Sequence, residues 1–303
     1  MGVSLQVGIL LGTRSRVLEA TAGPPRWRFR TGTMRWVWKT HPVRKVRGRD
    51  NFAELLREAE VVSVAGWDFS WLDGRAKEER PSWGYSRLAA ERVSGADSVV
   101  DLDTGSGEVL AGVLAAAGSS PRRVAATESW PPNLRLASTS LRPFAGSVVE
   151  VGDDSDLPFL RESFDLVLSR HPVTTRWGEV ARVLDGGGTF LSQQVGPGSN
   201  RELTDFMMGA QPVSDVRSPT SAAKMAEAAG LVVVDVRQES LRTVFDDVGA
   251  VVYFLRKVVW TVPGFSVETY RDRLATLHHQ IKRDGPFVAH SERFLIEAKK
   301  PCG

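Results

Sequence analysis

Cysteine is almost absent from this chain of 303 residues. The single cysteine, Cys302, lies beside the C-terminus, which excludes disulfide bonds within the chain and zinc sites built from several thiolates. No apolar run reaches the ~18 residues that a transmembrane helix needs. The short apolar patch at residues 7–11 has no basic region before it and no cleavage site after it. The sequence therefore predicts a cytoplasmic protein without a membrane span.

Most of the chain has no excess of basic residues over acidic ones. The first 50 residues carry eleven Arg and Lys against two acidic residues, whereas the remaining 253 carry 28 basic and 34 acidic residues. An enzyme that acts on nucleic acid usually surrounds its active site with basic charge. Nucleic acid is therefore not a favoured partner, and a phosphate-binding role would depend on the N-terminal arm around Arg44, Lys45, Arg47 and Arg49.

Composition divides the chain into four segments. Residues 1–33 mix Gly, Pro and Arg without a sustained period, which predicts a disordered leader, and Met34 begins a better patterned stretch that would suit a translation start. We predict a helical, aromatic-rich segment over 34–97, a ligand-binding core over 98–237, and a helical cap with the final strand of the same domain over 238–303. The aromatic side chains of the second segment either cover a ligand or pack its helices onto the core: Trp67, Phe69, Trp71, Trp83 and Tyr85.

Strand and helix patterns alternate through the core. Short apolar runs of β type predict strands at 98–102, 122–127, 147–151, 164–169, 188–195, 231–237 and 293–300. Helical periodicity predicts helices at 51–60, 83–94, 107–117, 131–141, 176–184 and 220–229, with two more before the last strand. Strands joined by helical crossovers pair in parallel. The fold class is therefore α/β, with a doubly wound, mainly parallel sheet of seven strands.

Polar residues follow four successive predicted strands, at the end of a parallel sheet where ligands bind. They are Asp101, Asp103, Thr104, Gly105 and Gly107 after the first strand, Glu128 after the second, Asp153 and Asp154 after the third, and Ser169, Arg170 and His171 after the fourth. A dinucleotide site needs GxGxxG, but the turn DTGSG has no third glycine. Glu128 is placed to accept from two ribose hydroxyls. The pattern favours a nucleoside that carries an amino-acid tail.

Three segments resemble the class I S-adenosylmethionine-dependent methyltransferases, in particular the methyltransferase type 11-like domain. They are VVDLDTGSG, VGDDSDLPFLRESFDLVLSRH and EVARVLDGGGTFLSQQVG, within residues 98–200. The resemblance implies a Rossmann-like fold, S-adenosylmethionine as cofactor and methyl transfer as the activity. It also implies cofactor contacts: Asp101, Gly105 and Gly107 to the methionine moiety, Glu128 to the ribose, Ser129 and Trp130 packed on the adenine, and Asp153, with Asp154 as its alternate, to the adenine amino group.

Asp103 departs from the family pattern, which has a glycine at this position. Aspartate tolerates left-handed backbone geometry better than most residues. Its charge would either meet the cofactor's ammonium or sulfonium group or block the site. Thr104 and Ser169 belong to the same candidate cofactor site, and Tyr85 is our preferred further contact because it closely precedes the first strand.

His171 and Arg170 are the candidate catalytic residues. The pKa of a histidine can lie near neutrality, which suits a general base, and Pro172 favours an extended conformation for His171. The alternative is a hydrogen-bonded histidine that orients a loop. Arg170 would pair either with an acidic group of the substrate or with Asp153 or Asp154.

Gln193 and Gln194 end the fifth predicted strand. Side chains alternate between the faces of a sheet, so at most one of the two lines a substrate pocket. Both could instead satisfy backbone groups at the strand end.

The segment before the last strand predicts a hydrophobic cap that bears Tyr253, Trp260, Phe265 and His278. Such a cap suits a small organic acceptor better than a polyanion. No metal site is expected, because neighbouring histidines 278 and 279 lie on different sides of a helix.

The predicted function is S-adenosylmethionine-dependent methyl transfer to a small organic molecule. The alternatives are an RNA methyltransferase that uses the basic arm, although the Asn/Asp-Pro-Pro-aromatic signature is missing, and a non-catalytic cofactor-binding or interaction protein.

Overall fold

The computed structural model describes residues 51–64, 69–152 and 155–302. The predicted leader, the basic arm, Trp67, Asp153 and Asp154 lie outside the described residues. The strands are β1 (Ala76–Glu78), β2 (Ser98–Leu102), β3 (Arg123–Glu128), β4 (Ser147–Glu150), β5 (Phe164–Arg170), β6 (Leu184–Val195), β7 (Val232–Phe245) and β8 (Phe287–Lys299). The α-helices are α1 (Phe52–Val61), α2 (Tyr85–Val93), α3 (Glu108–Ala116), α4 (Pro131–Leu141), α5 (Trp177–Val183), α6 (Arg201–Met208), α7 (Pro219–Ala228), α8 (Val248–Lys257) and α9 (Arg271–Asp284).

The eight strands in the described part of the chain belong to one mixed sheet with the order β1-β7-β8-β6-β5-β2-β3-β4. Strands β2 to β6 are parallel to one another, whereas β8 is antiparallel to β6 and β7, and β1 is antiparallel to β7. The α/β class and the mainly parallel sheet are confirmed. The predicted count of seven strands was one too low, because β1 contributes only Ala76, Lys77 and Glu78 and has no apolar run that would reveal it.

Strand β7 is longer than predicted. The expected strand ends at residue 237, but pairing with β8 continues from Val232 opposite Lys299 to Phe245 opposite Phe287. The boundary predicted between core and cap therefore falls inside this strand. Val195, the last residue of β6, lies opposite Arg293, so the β7–β8 ribbon extends past the carboxyl ends of the parallel strands.

Helices cover both faces of the sheet. Val99 of β2 packs against α2 and α3, while its neighbour Val100 packs on the opposite face against α5 and α7. Because both faces are buried, β2 reads as a continuous apolar run rather than as an alternating one. This packing fixes the carboxyl ends of the parallel strands relative to one another.

A third core forms where the β7–β8 ribbon leaves the sheet. Helices α1, α6, α8 and α9 pack there around the ends of both strands. Of the residues expected to form a cap, Tyr253 and His278 are buried in this core, whereas Trp260 is 54% exposed.

Buried Arg75 anchors α8. Its Nε and Nη2 donate to Asp247 at 2.9 and 2.8 Å, and its guanidinium lies 3.9 Å from the ring centre of Trp71. None of the helices in the described part of the chain has both the length and the apolar composition needed to cross a membrane.

Candidate functional site

The turn between β2 and α3 adopts a left-handed backbone at three alternate residues. The φ angles are 56° at Asp103, 65° at Gly105 and 76° at Gly107. Strand β3 holds the turn in place, because Thr127 accepts from the backbone N–H of Asp103 through its hydroxyl and from that of Thr104 through its carbonyl. Aspartate adopts this conformation more readily than most residues. The backbone therefore accommodates Asp103 where the related family has glycine.

The two glycines of the turn have different surroundings. A Cβ atom at Gly107 would lie 2.9 Å from the Cα of Ala137, so this glycine allows α4 to pack closely on the start of α3. A Cβ at Gly105 would meet nothing within 4 Å. The N–H groups of Gly105 and Ser106 have no acceptor among the described residues. Gly105 thus borders open space at a helix N-terminus, where backbone donors favour an anionic group such as a carboxylate.

Asp101 lies in β2 just before this turn and is only 6% exposed. Burial, with a further contribution from the negative charge of Asp103, raises the pKa of Asp101 to about 7, although the Thr104 hydroxyl and Arg170 oppose the rise. An ionised carboxylate in this position is costly without a cation beside it. Asp101 and Asp103 therefore make this end of the site suitable for a positively charged group.

Tyr85 and Ser169 lie beside Asp101. The phenol of Tyr85 is buried and donates to the carbonyl oxygen of Ser169 at 3.4 Å. Burial and the nearby Asp101 raise the pKa of Tyr85 well above its ordinary value, so the phenol is neutral. The hydroxyl of Ser169 is buried and has no hydrogen-bond partner within the described ranges. An unpartnered hydroxyl is expected where a ligand supplies the missing contact.

Glu128 uses much of its hydrogen-bonding capacity within the protein. Its Oε1 accepts from the backbone N–H groups of Ser129 and Trp130, both at 2.9 Å, and its Oε2 accepts from the amide of Asn133 at 3.3 Å. A carboxylate has about four acceptor positions, which leaves one for a ligand hydroxyl rather than the two expected. Trp130 is 40% exposed and is the N-cap residue that precedes α4.

His171 differs from its predicted conformation and charge. The φ angle of 57° is left-handed, not extended as the following proline favours. The reason is the strand pairing: the His171 N–H donates to the Gln193 carbonyl at 2.7 Å, and the chain turns away immediately afterwards. The pKa of His171 is also not near neutrality. Burial lowers it well below 6.5, and the positive charges of Arg170, Arg293 and Arg217 lower it further.

The hydrogen bonds of Gln193 determine which nitrogen of His171 carries the proton. Trp83 Nε1 can only donate, and it lies 2.9 Å from Gln193 Oε1, which must therefore accept. The Gln193 amide nitrogen then faces His171 Nε2 at 2.9 Å and donates to it. The neutral imidazole consequently carries its proton on Nδ1. In this tautomer His171 supplies a hydrogen-bond donor, and its basic nitrogen is already occupied. This geometry matches the alternative of a histidine that orients a loop, while the general-base role stays a prediction.

Three arginines lie near His171: Arg170, Arg217 and Arg293. Arg170 ends β5 and is exposed. Arg217 donates to the carbonyl oxygen of Pro172 at 2.9 Å. Arg293 of β8 is paired with Glu78 at 2.6 Å and donates to the hydroxyl of Ser199 at 3.3 Å. No motif marks Arg217 or Arg293, because β8 and the loop before α7 lie outside the recognised segments.

The structure brings most of the predicted site residues together at the carboxyl ends of the parallel strands. Asp101, Asp103, Thr104, Tyr85 and Ser169 lie around the turn after β2, while Glu128, Ser129 and Trp130 follow β3, and Arg170 and His171 follow β5. Asp153 and Asp154, outside the described residues, stay predictions. Across the described ranges, no group of three His, Cys, Asp or Glu side chains is arranged to hold a metal ion.

Residues 100–192 match the family model described as a methyltransferase domain. Among solved structures, the methyltransferase candidate BH2331 from Bacillus halodurans C-125 is 18% identical, with a TM-score of 0.50 over 71% of this chain and 96% of that chain. YcgJ from Bacillus subtilis is 19% identical, with a TM-score of 0.50 over 72% and 97%. No curated protein sequence shows significant similarity to this chain. The predicted resemblance to the class I methyltransferases is thus confirmed.

Proposed function

We propose that this methyltransferase domain transfers the methyl group of S-adenosylmethionine to a small organic acceptor in the cytoplasm. The observation that carries the proposal is the pairing of an open, left-handed turn at Gly105 with the buried carboxyl group of Asp101. S-adenosylmethionine has a carboxylate, an ammonium and a sulfonium group close together. The turn offers backbone donors for the first, and Asp101 and Asp103 offer negative charge for the cations.

The residues after β3 fit the nucleoside part of the cofactor. Glu128 retains one acceptor position for a ribose hydroxyl. Trp130 is exposed over a large flat surface next to that carboxylate, which suits contact with an adenine ring. The buried hydroxyl of Ser169, which has no partner among the described residues, supports a further polar contact for a ligand at this site.

The reaction makes modest demands on the protein's acid–base groups. S-adenosylmethionine supplies an activated methyl group, and holding the acceptor in line with it provides much of the rate. Gln193 fixes the orientation of His171, whose Nδ1–H is a donor that can hold an acceptor molecule. Because Nε2 of His171 already accepts from Gln193, we propose that the acceptor atom presents its own lone pair at neutral pH.

Methyl transfer is tested by incubating the full chain with S-adenosylmethionine that carries a labelled methyl group and with pools of small metabolites. We expect label in a small organic product and release of S-adenosylhomocysteine. A chain carrying Gly105→Ala should remain folded and form the labelled product more slowly when S-adenosylmethionine is limiting. Label found only in RNA would contradict the small-molecule assignment. Tight binding of S-adenosylhomocysteine without turnover in any pool would instead favour a non-catalytic cofactor-binding protein.

A further inference from the structure

We propose that the acceptor carries an anionic group, a carboxylate or a phosphate, that binds between Arg170 and Arg217 beside His171. This inference rests on the proposed function and adds the class of substrate. It depends on three guanidinium groups that reach one short segment of the chain. Their placement follows from the sheet register and from hydrogen bonds.

Arg170 and His171 occupy the end of β5, where Arg170 lies opposite Gln193 of β6. Arg217 reaches the next residue, because its Nη2 donates to the Pro172 carbonyl at 2.9 Å. Arg293 lies opposite Val195, two residues beyond Gln193 along β6. All three positive charges are close enough to lower the pKa of His171, and Arg170 also lowers that of Arg293.

Only one of these arginines has a carboxylate partner in the described part of the chain. Arg293 pairs with Glu78 at 2.6 Å, whereas neither Arg170 nor Arg217 lies within 4.0 Å of an acidic oxygen among those residues. Clustered like charges disfavour one another, and partial burial lowers the pKa of Arg217, whose side chain keeps an exposed surface that a ligand can reach. An arginine with unused donors in such a position binds a carboxylate or phosphate well, because its planar group can donate two parallel hydrogen bonds.

The charge is also correctly placed with respect to the proposed cofactor. Arg170 lies near enough to Asp101 to lower the pKa of that carboxyl group. The site therefore has a negative end, formed by Asp101 and Asp103, that suits the cationic methyl donor, and a positive end around His171. An anion held at the positive end lies beside the methyl donor. The neutral imidazole of His171 adds a hydrogen-bond donor there without a positive charge that would repel the neighbouring arginines.

The test uses the full chain, first loaded with S-adenosylhomocysteine, and titrates inorganic phosphate and acetate separately at low ionic strength. Arg170→Gln, Arg217→Gln and the double variant are compared with Arg161→Gln. Arg161 is an exposed arginine that precedes the amino end of β5, whereas Arg170 lies at its carboxyl end. It is therefore a matched control. We expect each substitution at Arg170 or Arg217 to weaken anion binding about tenfold, which corresponds to the loss of one hydrogen bond to a charged group.

The two ligands distinguish the source of the anion, because phosphate affinity above acetate indicates a phosphorylated acceptor and the reverse indicates a carboxylic acid. The proposal would be overturned if the double variant bound the anions with the same affinity as Arg161→Gln. It would also be overturned if neither phosphate nor acetate bound to the parent chain. Affinity for S-adenosylhomocysteine is measured in the same samples. If it is retained while the anions show no dependence on Arg170 and Arg217, only the acceptor class is wrong. If the parent chain does not bind S-adenosylhomocysteine, the proposed function itself fails.

Discussion

Gly105 and Gly107 are two residues apart in one turn. We predict that alanine at Gly107 mainly lowers the stability of the fold, whereas alanine at Gly105 mainly lowers the affinity for the cofactor. Both have left-handed backbones, with φ angles of 65° and 76°. Placing a side chain in that conformation costs roughly 1–2 kcal/mol. At Gly107 the new methyl group would also lie 2.9 Å from the Cα of Ala137. Overpacking of that kind costs about 1–3 kcal/mol.

Gly107→Ala should therefore lower the free energy of unfolding by about 2–5 kcal/mol, which corresponds to a fall in Tm of roughly 5–15 °C for a domain of this size. Gly105→Ala should lower it by only about 1–2 kcal/mol, because nothing lies within 4 Å of the added methyl group. The methyl group fills the space we assign to the methionine moiety. Affinity for S-adenosylhomocysteine should then fall at least about tenfold.

Gly230→Ala is the matched control for backbone strain alone. Its φ angle is 86°, and nothing lies within 4 Å of its added Cβ. It precedes the amino end of β7, away from the strand ends that carry the candidate site. Stability is measured by thermal and denaturant unfolding, and affinity by calorimetric titration. Gly230→Ala should match Gly105→Ala in stability and bind ligand like the parent chain. Equal ligand affinity in Gly105→Ala and Gly230→Ala would refute the assignment of the open space to the cofactor.

Three other predictions concern the charged groups. Since the pKa of Asp101 is raised to about 7 by burial, affinity for S-adenosylhomocysteine should fall as the pH drops below 7, whereas Asp101→Asn should bind weakly with little of this pH dependence. Calorimetry from pH 6 to pH 8 measures both, and an unchanged pH dependence in the variant would contradict the role of Asp101. Arg75→Met leaves Asp247 without its buried partner and should cost about 3 kcal/mol in denaturant unfolding, and a loss under 1 kcal/mol would contradict this. Gln193→Glu replaces the donor beside His171 Nε2 with a carboxylate, so the pKa of His171 should rise in an NMR titration, and an unchanged pKa would refute the contact between residue 193 and His171.

The predictable part of the fold is the part built from fully buried parallel strands. Residues 98–102 form β2 as expected, because apolar side chains on both faces leave one compatible pairing. Strand β1 was missed because its three residues pair only with the tip of β7. The extension of β7 was missed because Gln238, Glu239 and Ser240, which follow residue 237, are polar and break the apolar run, so the conformation of this part follows from pairing with β8.

The candidate site divides in the same way. Asp101 and Glu128 follow directly from motifs at strand ends, where chain order and spatial order agree. The contacts of His171 could not be predicted, because its conformation depends on Gln193 of the neighbouring strand and, through it, on Trp83. The arginines around it lie on segments far apart in the sequence. Only the sheet register brings Arg293 near Arg170.

Calorimetric titration of the full parent chain with S-adenosylhomocysteine at pH 8 tests the central claim most directly. At this pH the buried carboxyl group of Asp101, with its pKa of about 7, is mostly ionised and ready to meet the ligand's ammonium group. We predict saturable binding of one ligand per chain, with a Kd of about 1 μM, corresponding to roughly −8 kcal/mol. A titration without binding heat up to millimolar ligand, supported by an unchanged Tm, would contradict the account.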